Sequence, residues 1–533
     1  MKYQPLKKRR VKDIAAYSVI GIAVLFFILT IRHGHDWGGD FALYIENAIN
    51  IATGHRYSDT LFVYNTRDPL MSPRSYPPVY PLLLAPVYRM FGLDLYAMKV
   101  AGILVFAGFL LLYYRYACNR LESPLSQILV LACMAFSPWF WEAKDRILPD
   151  FLFILILYAA IVVADRMYAL RRPGLPQYLL AVGAGLLVSL LYGTRSVGML
   201  IVPAFFLHDI IRRRLVSRAT LIVTIVFAAF YVTQNVFLHT DQSYFESLKT
   251  VDAEEQGLDE DAVRQNVAGE GLLAVVKNNI DALGDRIPRK LHSYGSMMSA
   301  YWYIGDSVVP AGVLLALMTV LAVAGFVDFI ARSPSIGDYF ALTYILILLV
   351  VPFGQQRYLL PLVPLYLLYI FRATERIKQL ASGRGAGLKP AVMNAVPVIV
   401  SVVIAASYAS SYALSDPGPI ARGVESRASR ELFDFIRRNT PEDSLLVFHK
   451  PRPLALFTGR HALKYHWEPD VDKLWRDLTD MGATHIVLPK YIDTKAHSDY
   501  YFPAIVERHR RKLERIFEND DFAVYRILRD AAG

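Results

Sequence analysis

The sequence predicts a mainly α fold, a polytopic transmembrane helical bundle of about 11 spans followed by a small α/β domain outside the membrane. Three observations predict it. Of 533 residues, 54% are hydrophobic and 20% charged, and the mean hydropathy is positive, a balance too apolar for a water-soluble enzyme of this length. The apolar residues gather into runs near the ~17–25 residues that cross ~30 Å of hydrocarbon. Between those runs, segments rich and poor in Lys and Arg alternate, as loops on the two sides of a membrane do.

The runs lie at 14–32, 95–114, 124–141, 149–165, 178–194, 197–211, 219–238, 308–331, 336–353, 358–371 and 390–414. The stretch before the first, MKYQPLKKRRVK, is basic like the start of a secretory signal. The apolar core that follows is long and no small-residue cleavage site closes it, so a signal anchor with a cytoplasmic N-terminus is expected. YPPVYPLLLAPVYRMFG, at 76–92, is shorter and broken by four prolines, which predicts a helix lying at the interface rather than a span.

With the N-terminus inside, the inner segments hold most of the positive charge. Six positive residues precede the first span, followed by Arg115 and Arg120, then Arg166, Arg171 and Arg172, then Arg212, Arg213, Arg214 and Arg218, then Arg332, and five more between 372 and 389. The short outer turns hold only Lys144, Arg146, Arg195 and Arg357. An odd span count leaves the C-terminus outside and puts the long polar segments 33–94, 239–307 and 415–533 on one face. The expected organisation is a basic cytoplasmic tail at 1–13, a membrane domain at 14–414 and an extracytoplasmic domain at 415–533. The loop 239–307 opens acidic and turns helix-like around LLAVVKNNIDALGDRIPRKL.

From about 425 the tail alternates helix-like and strand-like segments. These are SRELFDFIRRN, the strand SLLVF, DVDKLWRDLTDMG, the strand THIVLP, the helix-like PAIVERHRRKLERIF and a last strand FAVYRIL. No glycine-rich phosphate loop or nucleophile elbow occurs in it, so a cap over the membrane domain or a contact for the acceptor is expected. The net charge of +10 does not point to nucleic acid, because the basic residues sit in short clusters between apolar runs. Cys118 and Cys133 both lie in or beside such runs, so no disulfide framework is available.

HDWGGDFALYIENAINIATGH, at 35–55, places Asp36 and Asp40 just past the first span, where an acid is either a loop residue or part of a site. The spacing of Asp40, Tyr44, Ala48 and Gly54 resembles the opening of the GT-C glycosyltransferases, which use lipid-linked sugars. YPPVYPLLLAPVYRMFG looks like that superfamily's next element and ILPDFLFILILY like its second acidic site, at Asp150. LLYGTRSVGML and GQQRYLLPLVPLYLLY are similar to further segments, with Arg195 and Arg357 at outer span ends. The likeness covers roughly 14–415 and suits the aminoarabinose and protein O-mannosyl transferase branches. One departure is clear: where many members carry Asp-Glu, this chain has Phe41 after Asp40.

The resemblance implies an integral inner-membrane enzyme moving a sugar from a polyprenyl-phosphate carrier to a hydroxyl of a glycan, lipid or protein acceptor at the outer face. A sugar on a polyprenyl phosphate already has a good leaving group, so one base and cations for the phosphate suffice. Asp40 is the implied base, with Asp150 the second acid. Arg195 and Arg357 offer forked, permanently charged donors for phosphate, while Tyr44, Arg74, Tyr76 and Tyr358 are candidates for lining the substrate groove. Asp36, Asp40 and Asp150 are the acids open to a divalent cation, magnesium or manganese. Each has a plainer reading: Asp40 and Asp150 as helix caps, Arg195 and Arg357 as snorkelling anchors, Arg74 and Tyr76 as interfacial anchors, and Glu142, Lys144, Asp145 and Arg146 as a self-paired turn. A transporter or flippase of lipid-linked sugars is the alternative function. It calls for paired repeats and ionisable residues at the membrane midplane, and the sequence shows neither.

Overall fold

The structure is a computed structural model and describes the chain apart from residues 1–5, 66–75, 171, 239–282, 300, 303, 305–310, 351–355, 384–389, 467, 469, 491–501 and 529–533. Arg74 and the acidic part of the 239–307 loop lie outside the described residues.

The helices of the first half are α1 (Leu6–Leu29), α2 (Gly39–Thr53), α3 (Val79–Phe91), α4 (Leu95–Arg120), α5 (Pro124–Ala135), α6 (Pro138–Ala143), α7 (Asp150–Ala169), α8 (Leu175–Thr194), α9 (Ile201–Arg213) and α10 (Arg218–Leu238). After the undescribed stretch come α11 (Leu283–Ser299), α12 (Ala311–Arg332), α13 (Ile336–Val350), α14 (Val363–Gly383) and α15 (Pro390–Leu414). Local chemistry sets the ends. Gly54 closes α2 at φ 79, a left-handed conformation that only glycine takes without strain. Asp94 caps α4 by accepting the Ala97 N–H, and Ser123 caps α5 ahead of Pro124.

Among the described residues, 8 helices are long and apolar enough to cross a membrane, within α1, α4, α5–α6, α7, α8, α10, α12 and α15. The other three expected spans fall on α9 and α13, of 13 and 15 residues, and on α14, whose second half carries Arg372, Glu375, Arg376 and Lys378. The expected interfacial helix is α3, with Pro86 inside it. Close packing joins α12 to α14: a Cβ on Gly325 would stand 1.9 Å from the Tyr369 carbonyl oxygen, so only glycine lets the two backbones meet. A column of rings from Phe27, Phe106, Phe109, Phe140 and Phe151 fills the middle of the bundle.

At one end of the bundle a set of charges is closed on itself. Asp338 accepts from Arg120 at 2.7 Å, from the Ser335 N–H at 2.7 Å and from the Tyr369 hydroxyl at 2.9 Å. Asp165 accepts from Ser335 and the Ile336 N–H, Asp328 is bound by Arg372 and Arg376 at 2.8 Å each, and Glu375 caps the start of α5 through the Ser123 N–H.

The tail sits at the opposite end. It comprises α16 (Arg427–Asn439), β2 (Leu445–Val447), α17 (Pro451–Thr458), β3 (His461–Leu463), α18 (Val471–Asp480), β4 (His485–Pro489), α19 (Phe502–Arg508), β5 (Leu513–Glu518) and β6 (Phe522–Ile527). The sheet order is β1-β3-β2-β4-β6-β5, and β1 (Phe62–Val63) comes from the first long loop, pairing parallel with β3. The loop and the tail are therefore one folded layer. His33 and His35 carbonyls accept from Ile420 and Val424, and a Cβ on Gly423 would meet the His35 carbonyl oxygen at 2.2 Å. Two expectations about the tail need correction. The segment KLERIF is not helical: α19 stops at Arg508, and β5 forms an antiparallel hairpin with β6 because Asn519 turns the chain by accepting the Asp521 and Phe522 N–H groups. Between β2 and β3 lies a helix, α17, whose prolines at 451 and 453 sit in its first turn where no N–H is missed.

Candidate active site

Asp40 lies in the first turn of α2, facing the tail, with a third of its side chain exposed. It does not cap the helix; that place belongs to Gly38, which makes no side-chain bond. Oδ2 of Asp40 accepts from Arg357 Nη2 at 2.8 Å, and Oδ1 accepts from the Tyr76 hydroxyl at 2.7 Å. Arg452 of α17 stands 3.6 Å from the same Oδ1 and donates to the Tyr76 oxygen at 3.0 Å. Burial works to raise the Asp40 carboxyl, but Arg357, the Tyr76 hydrogen bond and Arg452 outweigh it and hold the group below the usual carboxylate range. Asp40 is a carboxylate at neutral pH.

The second acid forms a parallel pair. Asp150 opens α7 after Pro149, makes no cap bond to its own helix, and accepts from Arg195 at the end of α8. The Tyr358 ring lies beside both guanidiniums, 5.4 Å from Arg195 and 5.6 Å from Arg357. Tyr44 stacks on Tyr76 at 4.4 Å and meets Tyr80 edge-on at 5.2 Å, which fixes the Tyr76 hydroxyl toward Asp40.

Asp40, Tyr44, Tyr76, Asp150, Arg195, Arg357 and Tyr358 are thus drawn together from five segments. Asp36 has a different task. Its Oδ1 accepts from the Gly38 N–H at 2.9 Å and faces His35 Nδ1 at 3.1 Å, while His35 Nε2 accepts from the Ile147 N–H. Together they set the turn that aims α2. Asp36, Asp40 and Asp150 do not converge as a ligand set for a cation. The described residues gather one such set, His466, Glu468 and Asp477, in the tail. Its donors already have partners: His466 lies between Asp477 and Asn65, and Glu468 takes Lys473 and the Asp470 N–H.

Arg452 is the residue that sequence reasoning missed. Nothing near 452 carries a recognisable motif, and the tail held no expected chemistry. The arginine reaches Asp40 only because β1 and β3 pair and seat α17 against α2. The mixed-charge turn also departs from expectation. Lys144 pairs with Asp145 at 2.6 Å, but Glu142 accepts the Tyr301 hydroxyl at 2.7 Å, and the exposed Arg146 side chain has no partner among the described residues.

No family model matches the sequence, and no curated protein matches it. Solved structures do. An oligosaccharyltransferase AglB from Archaeoglobus fulgidus, in complex with an inhibitory peptide and a dolichol-phosphate, is 12% identical with a TM-score of 0.57, covering 89% of this chain and 69% of its own. ArnT from Cupriavidus metallidurans, bound to undecaprenyl phosphate, is 12% identical with a TM-score of 0.53, covering 97% of this chain and 98% of its own. The A. fulgidus enzyme in complex with Zn and sulfate matches at a TM-score of 0.55 and 12% identity, covering 88% of this chain and 67% of its own. The chain shares with these proteins the GT-C fold, an integral membrane architecture.

Proposed function

We propose that this protein is a glycosyltransferase of the GT-C kind, which moves a sugar from a polyprenyl-phosphate carrier to an acceptor hydroxyl with Asp40 as the base. The observation that carries the proposal is the state of Asp40: an ionised, partly exposed carboxylate at the end of a membrane bundle, with Arg357 on one oxygen and Tyr76 on the other. The fold is supporting, since two proteins that share it are seen with dolichol-phosphate and undecaprenyl phosphate.

In this reading the acceptor hydroxyl gives its proton to Asp40 while its oxygen bonds the anomeric carbon. The bond from that carbon to the phosphate oxygen breaks, and the electron pair leaves with the polyprenyl phosphate. One displacement inverts the anomeric centre. Arg357 links the two halves of the step. While it sits on Asp40 it depresses that carboxyl, and a phosphate arriving on its other edge shares the guanidinium's charge, so Asp40 gains basicity as the substrate arrives. Tyr76 and Arg452 keep the carboxylate oriented. In this reading the active face and the tail lie outside the cytoplasmic membrane and the N-terminus inside, an orientation that the loop-charge alternation supports.

The test uses the purified full chain in detergent with polyprenyl-phosphate sugars, measuring release of polyprenyl phosphate in the presence of acceptor glycans, lipids or peptides. Release by the parent that is abolished in Asp40→Asn supports the proposal. Carrier translocation in vesicles without sugar transfer points to the flippase instead.

A further inference from the structure

Beside the Asp40 pair an open cleft lies between α6, Tyr301 and the turn ahead of α14. Its lining includes Trp139, Glu142, Arg146, Tyr301, Gln356 and Arg357. The floor is aromatic, with Trp139 and Tyr301 packed at 4.5 Å, both buried. The walls carry two guanidiniums, and neither has its full hydrogen-bonding capacity used among the described residues. Arg357 gives a single donor to Asp40, and its buried Nε has no partner. The exposed Arg146 makes no side-chain bond or ion pair among the described residues. The acid of the lining, Glu142, accepts the Tyr301 hydroxyl and keeps its charge, so the two guanidiniums outnumber it. Lys144 and Asp145 pair with each other, so they neither neutralise Arg146 nor compete with it.

The geometry points to this cleft as a phosphate-binding subsite in which Arg146 and Arg357 hold the same phosphate from two sides. A guanidinium with an unspent donor edge is the group that binds phosphate in a two-pronged way, and a buried N–H without an acceptor costs about 1–3 kcal/mol until a ligand satisfies it. Arg195 is a poorer candidate for the second cation, because Asp150 already neutralises it at the end of α8. The position also suits the displacement: Arg357 is anchored to Asp40 through Nη2, so a phosphate on its remaining edge lies a guanidinium's width from the base. Between the base and the leaving oxygen of such a displacement stand the acceptor oxygen and the anomeric carbon, a span of that order. The inference deepens the transferase reading by naming a residue for the leaving phosphate, but binding itself does not depend on transfer.

Calorimetric titration of the full chain in detergent tests it, with farnesyl phosphate and inorganic phosphate as the probes, on the parent, Arg146→Gln and Arg146→Lys. The side chain is exposed, and matching melting curves will show that the variants fold. Affinity is expected to fall about tenfold or more in Arg146→Gln and to be partly restored by Lys, the scale of one charge-assisted hydrogen bond. Much tighter binding of farnesyl phosphate than of inorganic phosphate identifies the lipid carrier as the source of the phosphate. Similar affinities for the two identify a phosphate on a soluble group. Parent-like affinity for both probes in Arg146→Gln overturns the proposal, and so does a parent that binds neither. A parent that binds phosphate in an Arg146-dependent way yet transfers no sugar removes the transferase reading and leaves the subsite standing.

Discussion

The two ends of the bundle use the same side chains to opposite effect. At the end away from the tail, Asp338 is fully buried and has three partners, and Asp328 is held by three arginines. At the tail end, Asp40 is partly exposed, and neighbouring Arg146 is exposed and makes no hydrogen bond or ion pair among the described residues, while a buried Nε without a partner is common to Arg120 and Arg357 and so does not separate the ends. A closed network stiffens the structure, because every charge lost strands another in low dielectric. An open one keeps donors for a ligand. The difference lies in exposure and in guanidiniums left open to solvent, not in composition, and it separates structural from functional charge where residue type does not.

The sharpest way to break this comparison is to neutralise one acid at each end. Asp40→Asn keeps size and most hydrogen bonding but cannot take a proton, so sugar transfer should fall by roughly 10²–10⁴-fold, the usual range for general acid-base loss. Its melting temperature should stay near the parent's. Transfer within a few-fold of the parent removes Asp40 from the base role.

Asp338→Ala should do the reverse. It leaves Arg120 buried without its carboxylate, and removing one partner of a buried pair costs about 3–5 kcal/mol. The expected reading is a marked loss of folded protein in detergent, with the activity of each surviving molecule little changed. Per-molecule activity that falls as far as in Asp40→Asn would make the far end part of the site.

Much of this contrast was legible in the sequence, and the reasons for the rest are physical. Run length and loop charge identify the helices that cross lipid, because those rules are local. At α9, α13 and α14 the described helices are shorter or carry charge, and there the expected spans rest on the loop alternation rather than on run length. Asp40, Asp150, Arg195 and Arg357 announced themselves by sitting at span ends. Arg452 did not, since its place depends on β1, two residues long, pairing with a strand some 400 positions later. Satisfaction is equally invisible: the turn at 142–146 holds two acids and two bases, and only three dimensions show that Glu142 and Arg146 do not pair.

Glu46 sharpens the comparison from a third direction, as a buried acid with no pairing at all. It is 6% exposed in α2, and neither carboxylate oxygen has a hydrogen-bond partner among the described residues. Burial pushes its carboxyl up to about 8, against a smaller opposing pull from Arg452. The folded chain then keeps this proton between about pH 4.5 and 8 while the unfolded chain has released it. Stability from this group should therefore fall as pH rises through that window, by at most roughly 1.4 kcal/mol per pH unit, and level off above it. Glu46→Gln should flatten the slope of melting temperature against pH. Identical slopes for parent and variant would mean the carboxyl finds a partner in solution.

The smallest expected effect belongs to Arg452→Lys, and it tests whether the tail takes part in chemistry or only covers the site. Arginine here does two things from one planar fork: it donates to the Tyr76 oxygen at 3.0 Å and keeps positive charge 3.6 Å from Asp40. Its guanidinium also lies 5.0 Å from the Phe62 ring centroid, which locks it between the first loop and the tail. Lysine retains the charge and loses the fork and the stacking. The charge term on Asp40 therefore survives while the orientation of Tyr76 loosens, and transfer should drop about tenfold, near 1.4 kcal/mol in the barrier. Because orientation rather than ionisation changes, the loss should appear in kcat with little movement of the acidic limb of the pH profile. A shift of that limb toward higher pH would mean that lysine has left Asp40 and that the electrostatic contribution of Arg452 was the larger one. No change in either would return the tail to the role of a lid.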